Sequence, residues 1–319
     1  MKMLDWHAIV DREYELSLND HPLTLYFQPV SAFYHQQLDT IAQWADYLNL
    51  EKGLPVSRMF RNRAGKWGTL IGGEEWVLMC RPIMSQFTGM SAGVGLAELH
   101  LQTSMVDVHL FPESPLMTRN RDWEKRIDVL EAKELANRSL ERRSVFERLF
   151  SNRFAYFLGC AENAIQMMVE GSINFPNEQS VCFGHYRYSM INGIAEENPG
   201  QWVVDDRSRD LAEALRVIGW QQGRRTLEEE MNTFLNDYES RFPLTEQVTS
   251  AMYARLLYPL SYVECCERYF FESNPSEQRE QEVLLRQCEE KIGDYEYLLS
   301  ILAKRYAGQF TAPEWLLEK

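Results

Sequence analysis

The stretch that most constrains the fold of this chain is residues 180–216, SVCFGHYRYSMINGIAEENPGQWVVDDRSRDLAEALR. The apolar run 202–204 ends in Asp205 and Asp206, and an amphipathic segment opens at Arg209. The spacing of apolar residues in this stretch predicts a strand, a loop, a second strand, a turn and a helix. Burying an unpaired charge costs much free energy, so a carboxylate pair at the end of a buried strand usually has a functional role.

This stretch resembles the catalytic core of the aminoglycoside and choline phosphotransferase-like kinases. Their pattern is a hydrophobic pair, His-Gly-Asp, an Asn a few residues later, a strand ending in Asp and a helix opening Asp-Leu-Ala. The last two parts are present as 203–205, Val-Val-Asp, and 210–212, Asp-Leu-Ala. In a phosphotransferase such a strand-end carboxylate holds the magnesium that bridges the phosphates. The resemblance implies Asp205 as a remnant metal ligand, and the alternative is a turn-capping carboxylate paired with Arg207 or Arg209.

The first part of the pattern is altered in this chain. If His185 takes the place of the motif His, Arg187 stands where the catalytic Asp belongs and Asn192 falls on the motif Asn. If Gly184 sets the register instead, His185 replaces the catalytic Asp and Met190 replaces the Asn. Neither register offers a carboxylate to orient an attacking hydroxyl. The resemblance therefore implies no catalytic residue, with His185, Arg187 and Asn192 as degenerate positions.

Two further segments carry a more specific resemblance. Residues 154–170, FAYFLGCAENAIQMMVE, resemble a helix of the YutH-type endospore coat-associated proteins, a spore-former family within the kinase-like fold. Residues 202–216 resemble the same family's Asp-then-RDLAE segment. Residues 95–100, GLAELH, resemble the helix that opens the C-terminal lobe of kinase-like proteins. Together these segments imply an α+β bilobal protein-kinase-like fold, similar to that of the aminoglycoside phosphotransferases.

The first part of the chain reads as a small mixed lobe. A strand is predicted over 23–30, a helix over 33–50, and antiparallel strands from 56 to 80 with a turn at Gly72 and Gly73. Strand, helix and antiparallel strands are the order of a kinase N-terminal lobe. We therefore expect an N-terminal lobe over 1–82, with a hinge near 81–91, and a larger, mainly helical C-terminal lobe over 83–319.

This N-terminal lobe lacks the residues that bind a nucleotide. A loop that covers phosphates needs glycines so that backbone amides can approach, and the first glycine is Gly53. By the resemblance, Gln28 stands where a phosphate-binding Lys is expected. The helix that should supply its Glu partner offers Gln36, Gln37 or Asp39. The remnant cofactor positions implied by the resemblance are thus Gln28, Asn192 and Asp205.

Composition narrows the functional class. With 319 residues, of which 45% are hydrophobic, the chain can bury a large core, and its net charge of −14 argues against nucleic-acid binding. The sequence has no signal-like start and no apolar stretch long enough for a membrane span, so we expect cytoplasmic synthesis and no membrane partner. The six cysteines include no C-x-x-C pair, which favours buried, reduced thiols.

Several polar residues have ordinary structural interpretations. Asp210 precedes the predicted helix, with Glu213 three residues later, an N-cap arrangement whose loss costs about 1 kcal/mol. His185 and Arg187 would form an anion site or, as we expect, a solvent-facing loop bonded to Glu196 or Glu197. The remaining predictions place Asp206 and His100 near solvent and Trp315 and Leu316 on an exposed tail. The spacing of apolar residues predicts a central helix over 146–169, an apolar face that includes Tyr238 over 226–238, and one long charged helix over 281–306.

From these patterns we expect a kinase-like protein that has lost catalysis and takes part in spore coat assembly by binding coat or coat-assembly proteins. The spore location and the coat partners are implied by the resemblance alone. No cofactor is expected. One alternative is a small-molecule phosphotransferase that uses ATP and magnesium, with His185 as its base. Another is a nucleotide sensor that binds ATP without transfer.

Overall fold

The computed structural model of the chain describes residues 14–18, 21–82, 89–174, 180–188, 197–221, 223–272 and 274–317. The chain divides into two compact units. The first unit comprises Met1–Pro115, Ser180–Asp210 and Thr233–Pro243, and the second comprises Leu116–Gln179, Leu211–Asn232 and Leu244–Lys319. The lobe boundary after residue 82 stays a prediction, and most of the expected hinge lies outside the described residues.

The first unit contains an antiparallel sheet of five strands. The strands are β1 (Tyr14–Leu18), β2 (His21–Pro29), β3 (Arg58–Phe60), β4 (Gly68–Ile71) and β5 (Glu74–Cys80). Their order in the sheet is β1-β2-β5-β3, and β4 also pairs with β5. Gly72 and Gly73, with φ of 61° and 92°, form the turn between β4 and β5. Both φ values are positive, which glycine adopts without steric cost, so the predicted turn is confirmed.

A short helix packs with this sheet. Helix α1 (Leu38–Asp46) buries Ile41, Ala42 and Ala45 and continues as a π-helical turn over Tyr47–Glu51. The predicted helix start at Phe33 is wrong, because Val30–Ala32 form a 3-10 turn and Phe33 has an extended backbone with ψ of 130°. Apolar spacing alone did not reveal this extended entry.

The rest of the first unit brings distant segments together. Helix α2 (Ala92–Thr103) starts with Ser91 capping the Val94 N–H at 3.3 Å. Strands β6 (Val181–His185) and β7 (Trp202–Asp206) pair as a buried antiparallel ladder, as the apolar runs predicted. Helices α5 (Ser208–Gln221) and α6 (Arg224–Glu239) contribute residues to both units.

The second unit is helical. Its further helices are α3 (Arg119–Arg138), α4 (Val145–Asn174), α7 (Glu246–Leu257), α8 (Leu260–Glu267), α9 (Pro275–Glu290), α10 (Ile292–Arg305) and α11 (Glu314–Leu317). The predicted central helix is confirmed and extended as α4. The single helix expected over 281–306 is wrong: Lys291, with ψ of −1°, separates α9 from α10, and Gly293 follows in the first turn.

The centre of the second unit is a group of stacked and edge-on rings, here called the aromatic core. Phe150 lies 5.2 Å from both Phe154 and Phe270, measured between ring centroids. Phe157 stacks on Tyr262 at 3.9 Å. The aromatic core consists of Phe146, Phe150, Phe154, Phe157, Tyr262 and Phe270.

Three predictions concern the burial of the cysteines, the exposure of the tail and the absence of a membrane span. Cys288 is half-buried, whereas the other five cysteines are buried, and all six are free. The predicted exposure of Leu316 is wrong, because Leu316 is fully buried while Trp315 packs edge-on against Tyr156 at 5.9 Å. Within the described residues, no helix combines the length and apolar character that a membrane span requires.

Candidate functional site

The candidate site lies where β6, β7 and the start of α5 meet in the first unit. Antiparallel pairing places Cys182 opposite Asp205 and His185 opposite Trp202. Both strands are buried along their whole length. Every charged side chain that these strands carry inward therefore needs a partner within the protein.

His185 is held between two carboxylates. Its Nδ1 lies 2.7 Å from Asp210 Oδ2 and its Nε2 lies 2.5 Å from Glu197 Oε2. Because both ring nitrogens face acceptors, both donate and the ring is an imidazolium. Burial lowers the pKa of His185, but the charges of Glu197 and Asp210 outweigh it, and the net pKa is raised well above the ordinary value.

Asp210 joins His185 to a second histidine. Its carboxylate accepts the His185 backbone N–H at 2.9 Å and faces His100 Nε2 at 3.2 Å. Tyr238 donates its O–H to His100 Nδ1 at 2.9 Å, so His100 is the neutral Nε2–H tautomer. Glu197, His185, Asp210, His100 and Tyr238 thus form one buried hydrogen-bonded chain, here called the His185 cluster.

The electrostatics of the cluster follow from this order. Burial lowers the pKa of His100, despite its bond to Asp210. Burial raises the pKa of Asp210, but the charge of His185 and the hydrogen bonds from both histidines outweigh it and lower the pKa overall. Asp210 is thus an anion between a charged and a neutral ring.

Two backbone features position the cluster. A Cβ added at Gly184 would lie 3.1 Å from both carboxylate oxygens of Asp210, so the absence of a side chain lets α5 approach β6. Glu197 is fixed by its own backbone, since its N–H donates to the Pro55 carbonyl at 2.8 Å and its carbonyl accepts from Ser57 at 2.8 Å.

Asp205, the predicted metal ligand, is 1% exposed and bound to other protein groups. Its Oδ1 accepts the Asp206 N–H at 2.7 Å, and its Oδ2 lies 3.1 Å from Arg209 Nη1. Arg209 also donates from Nε to the His185 carbonyl at 2.9 Å and from Nη2 to the Tyr186 carbonyl at 3.2 Å. One guanidinium therefore connects Asp205 to the end of β6.

These contacts do not fit a magnesium ion at Asp205. A ligating carboxylate must turn an oxygen toward the metal, and Oδ2 already faces a positive charge. In the described part of the chain, no three His, Cys, Asp or Glu side chains are grouped as metal ligands would be.

The neighbouring polar residues correct two predictions. Asp206 is buried, not solvent-facing, and accepts bonds from Ser180 Oγ and, at 2.8 Å, from the Ser208 N–H. Asp206 thereby supplies the bond to the helix start that was expected from Asp210. Asp210 lies inside the first turn of α5, so the N-cap prediction for it is wrong, and Glu213 pairs with Arg216 at 2.5 Å.

The loop prediction for His185 and Arg187 is half right. His185 is bonded to Glu197 as expected, but it is a buried residue of β6, not part of a solvent-facing loop. Arg187 is exposed, and its guanidinium lies 5.3 Å from the Tyr186 ring centroid. Asn192, together with Met190 and Glu196, lies outside the described residues.

Gln28 is buried on β2 and has a neutral partner. Asn198 donates from Nδ2 to Gln28 Oε1 at 2.9 Å, and a Cβ at Gly200 would come within 2.1 Å of Gln28 Nε2. The three candidate partners bond elsewhere: Gln36 to the Phe33 carbonyl, Gln37 to Glu113, and Asp39 to Arg61 and the Trp67 indole.

Sequence reasoning missed three residues near the site. His100 was placed near the surface, but it is fully buried. His35 is buried too, and its Nε2 accepts the Val204 N–H at 2.9 Å, next to Asp205. Tyr238 was assigned only to an apolar helix face. A histidine within an apolar helix start, as in residues 95–100, was the available signal for His100.

With this geometry established, comparison with known proteins identifies related chains. A family described as "Spore coat putative kinase YutH" matches residues 8–302. Endospore coat-associated protein YutH of Bacillus subtilis (strain 168) is 27% identical over 282 residues, which cover 85% of this chain and 81% of that protein.

Solved structures agree in fold. An aminoglycoside phosphotransferase from Alicyclobacillus acidocaldarius subsp. acidocaldarius DSM 446 has a TM-score of 0.62 at 14% identity, covering 93% of this chain and 92% of that chain. Spectinomycin phosphotransferase, in complex with ADP and spectinomycin, has a TM-score of 0.55 at 10% identity, covering 93% and 89%. At these identities the likeness concerns the fold, so the predicted α+β kinase-like fold is confirmed.

Proposed function

The chain belongs to the spore coat YutH family of kinase-like proteins, and we propose on that premise that it serves the coat by binding proteins, without phosphoryl transfer. The observation that carries this proposal is the ion pair between Asp205 and Arg209, 3.1 Å apart. In a phosphotransferase the matching carboxylate binds the magnesium that neutralises the phosphates. In this chain the guanidinium of Arg209 neutralises the Asp205 carboxylate instead.

The state of His185 supports the same proposal. A general base must offer a lone pair to the hydroxyl proton that it removes. Both nitrogens of His185 donate to carboxylates, and its pKa is raised, so the ring holds its protons instead of accepting one. The phosphotransferase alternative depends on this residue as its base, and it is therefore disfavoured.

The nucleotide side of the fold points the same way. A phosphate-binding Lys would bring a positive charge to the position of Gln28, whose partner is the neutral Asn198. A neutral amide pair binds triphosphate far less strongly than an ammonium ion does. This pair argues against the nucleotide-sensor alternative, and we propose that the chain needs neither ATP nor magnesium.

The coat role rests on the relative's name. The Bacillus subtilis protein is endospore coat-associated, and by likeness we place this chain in the spore coat after cytoplasmic synthesis. Coat or coat-assembly proteins are the proposed partners. Half-exposed Trp315 is a candidate contact residue, but the tail from Ala312 is not dispensable, because Ala312 and Leu316 are buried.

A thermal-shift titration with ATP and magnesium tests the loss of catalysis. A ligand at 100 times its dissociation constant stabilises the folded state by about 2.7 kcal/mol. We expect no shift at millimolar ATP in the wild type or in Asp205→Asn, which keeps the shape of the side chain. A wild-type shift that is lost in Asp205→Asn would overturn the proposal and redirect the search to phosphoryl acceptors.

A second experiment tests the coat role. Fluorescent fusions of the wild type and Asp205→Asn, expressed in a spore former that lacks the native protein, should both reach the coat. Trp315→Ser should reduce coat association, whereas Leu70→Ser, which changes an exposed side chain of the first unit, should not. A stably folded Asp205→Asn protein that fails to reach the coat would contradict a purely protein-binding role.

A further inference from the structure

A cleft lies among the helices of the second unit, beside the aromatic core, and encloses about 560 Å³ when its solvent-open part is included. Its walls come from α4, α5, α8, α9 and α10. Five aromatic side chains line it: Tyr156, Phe157, Trp220, Tyr262 and Tyr295. Clefts with mostly apolar walls and a few polar groups are typical of small-molecule sites.

The aromatic walls are fixed by packing. Phe157 stacks on Tyr262 at 3.9 Å, and Tyr156 meets Phe157 edge-on at 5.1 Å. Tyr156 also donates its O–H to Glu296 Oε1 at 3.2 Å. Burial raises the pKa of Tyr295 to about 12, so its phenol adds no negative charge. These rings therefore present flat, neutral faces without rearrangement.

The charge of the cleft has the opposite sign to that of the chain. The net charge of the protein is −14, yet the described lining residues include Arg216 and Lys291 and no Asp or Glu. The charge of Arg216 is already paired, because its Nη1 lies 2.5 Å from Glu213 Oε1. Lys291 is different: its ammonium donates to the Trp220 carbonyl at 3.1 Å, and among the described residues no carboxylate lies within 4.0 Å of it.

We propose that this cleft binds a small, flat aromatic ligand that carries one negative charge. The rings of Trp220, Tyr262 and Phe157 would contact the apolar body of the ligand. Lys291, whose ammonium lies 5.9 Å from the ring centroid of exposed Trp220, would bind the anionic group. An ammonium that keeps donors unused beside aromatic faces recognises such a ligand by charge and by ring contact together. This site is independent of the Asp205 region and of the proposed coat role.

A matched pair of probes tests the charge requirement. We would titrate the full chain with 2-naphthoate and with neutral 2-naphthalenemethanol by calorimetry. A charge-assisted hydrogen bond should make naphthoate bind about five- to tenfold more tightly. Lys291→Gln should remove that difference and leave the neutral probe unaffected. Lys304→Gln, an exposed change in the last turn of α10, should preserve it.

Cys288 provides a second readout on the wild-type protein. It is the half-buried cysteine, it lines the cleft, and burial raises its pKa to about 11. Alkylation at about pH 9, where some thiolate forms, should be slowed about tenfold by saturating naphthoate. Equal affinity for the two probes, a charge preference that survives in Lys291→Gln, or unprotected Cys288 would each overturn the proposal.

Discussion

The His185 cluster of the first unit and the aromatic core of the second are both largely buried, but different forces hold them. In the His185 cluster, each group is placed by a directed bond to a charged or polar neighbour, such as the 2.7 Å contact between His185 and Asp210. In the aromatic core, Phe150 touches several rings, none of which requires one exact orientation. Burial alone therefore does not tell how a region responds to change.

The difference lies in what remains after a substitution. Removing one member of a buried ionic group leaves its partner charged and unpaired, which is costly even when the volume is conserved. Removing part of an apolar ring leaves a gap whose cost depends on volume and on how far the neighbours relax. The His185 cluster should thus be sensitive to chemistry, and the aromatic core to size.

Among substitutions that conserve most of the side-chain volume, the largest effect is expected for Asp210→Asn, which removes the charge between His185 and His100. We predict a loss of about 3 kcal/mol in the free energy of unfolding, because His185 keeps only one of its two carboxylates. Urea denaturation measures this loss. The exposed Glu229→Gln on α6 is the charge-matched control and should stay within about 0.5 kcal/mol of wild type. Similar values for the two variants would contradict the comparison.

A conservative change in the aromatic core should cost less. Phe150→Leu is predicted to lower the free energy of unfolding by about 1.5 kcal/mol, since most of the apolar volume is retained. Phe150→Ala should cost about 3 to 5 kcal/mol, because it opens a cavity among rings packed at 5.2 Å. If Phe150→Leu lowers the free energy of unfolding as much as Phe150→Ala does, the aromatic core depends on ring geometry, and the comparison with the His185 cluster fails.

The pH dependence of unfolding should separate the two regions further. The pKa of His185 is raised in the folded state, so its contribution is complete below about pH 6.5 and is lost as pH rises through the folded value. Burial lowers the pKa of His35 to about 4, so stability is also lost as pH falls from about 6.5 toward that value. Buried tyrosines of the second unit, such as Tyr262, have raised pKa values and should affect stability only above about pH 10.

Urea midpoints measured between about pH 4 and pH 10 check this prediction. In Glu197→Gln the decline on the alkaline side should shrink, because one of the two carboxylates that raise the His185 pKa is gone. The loss of stability on the acid side, to which His35 and His100 contribute through their lowered pKa values, should be unchanged. An alkaline decline of full size in Glu197→Gln would show that His185 is not its source.

The smallest expected effect concerns local opening. Cys182 reports on β6 in the first unit and Cys266 on α8 in the second, and both are buried. Native-state thiol labelling should speed up mainly at Cys182 in Asp210→Asn and mainly at Cys266 in Phe150→Leu, by about tenfold per 1.4 kcal/mol of lost local stability. Equal acceleration at both cysteines in both variants would mean that the two regions open together.

Much of the fold was predictable because it follows local patterns. The apolar run before Asp205 and the spacing after Asp210 gave β7 and α5, and the pair Gly72 and Gly73 gave the β4–β5 turn. The start of α1 and the division between α9 and α10 were missed. At both places a helix begins at a residue that the spacing of apolar residues does not mark.

The site was less predictable, because its bonds join residues that are distant in sequence. His185 meets Asp210 and Glu197, and His100 reaches the same carboxylate from α2. The spacing of apolar residues indicates which face of a helix or strand is buried. It does not indicate which polar group of another segment will contact that face. The altered His-Gly-Asp motif led to the prediction that catalysis is lost, whereas the bonds that these residues make became visible only in three dimensions.

Arg209 has a consequence for how the protein depends on its surroundings. A carboxylate compensated by a bound metal changes its state whenever a chelator or a dilute medium removes that metal. Asp205, on β7, is compensated by the guanidinium of Arg209 on the adjoining helix α5, 3.1 Å away, which dialysis cannot remove. The end of β7 should therefore keep the same conformation with or without free divalent ions, so this part of the protein needs no ion supply to remain in shape.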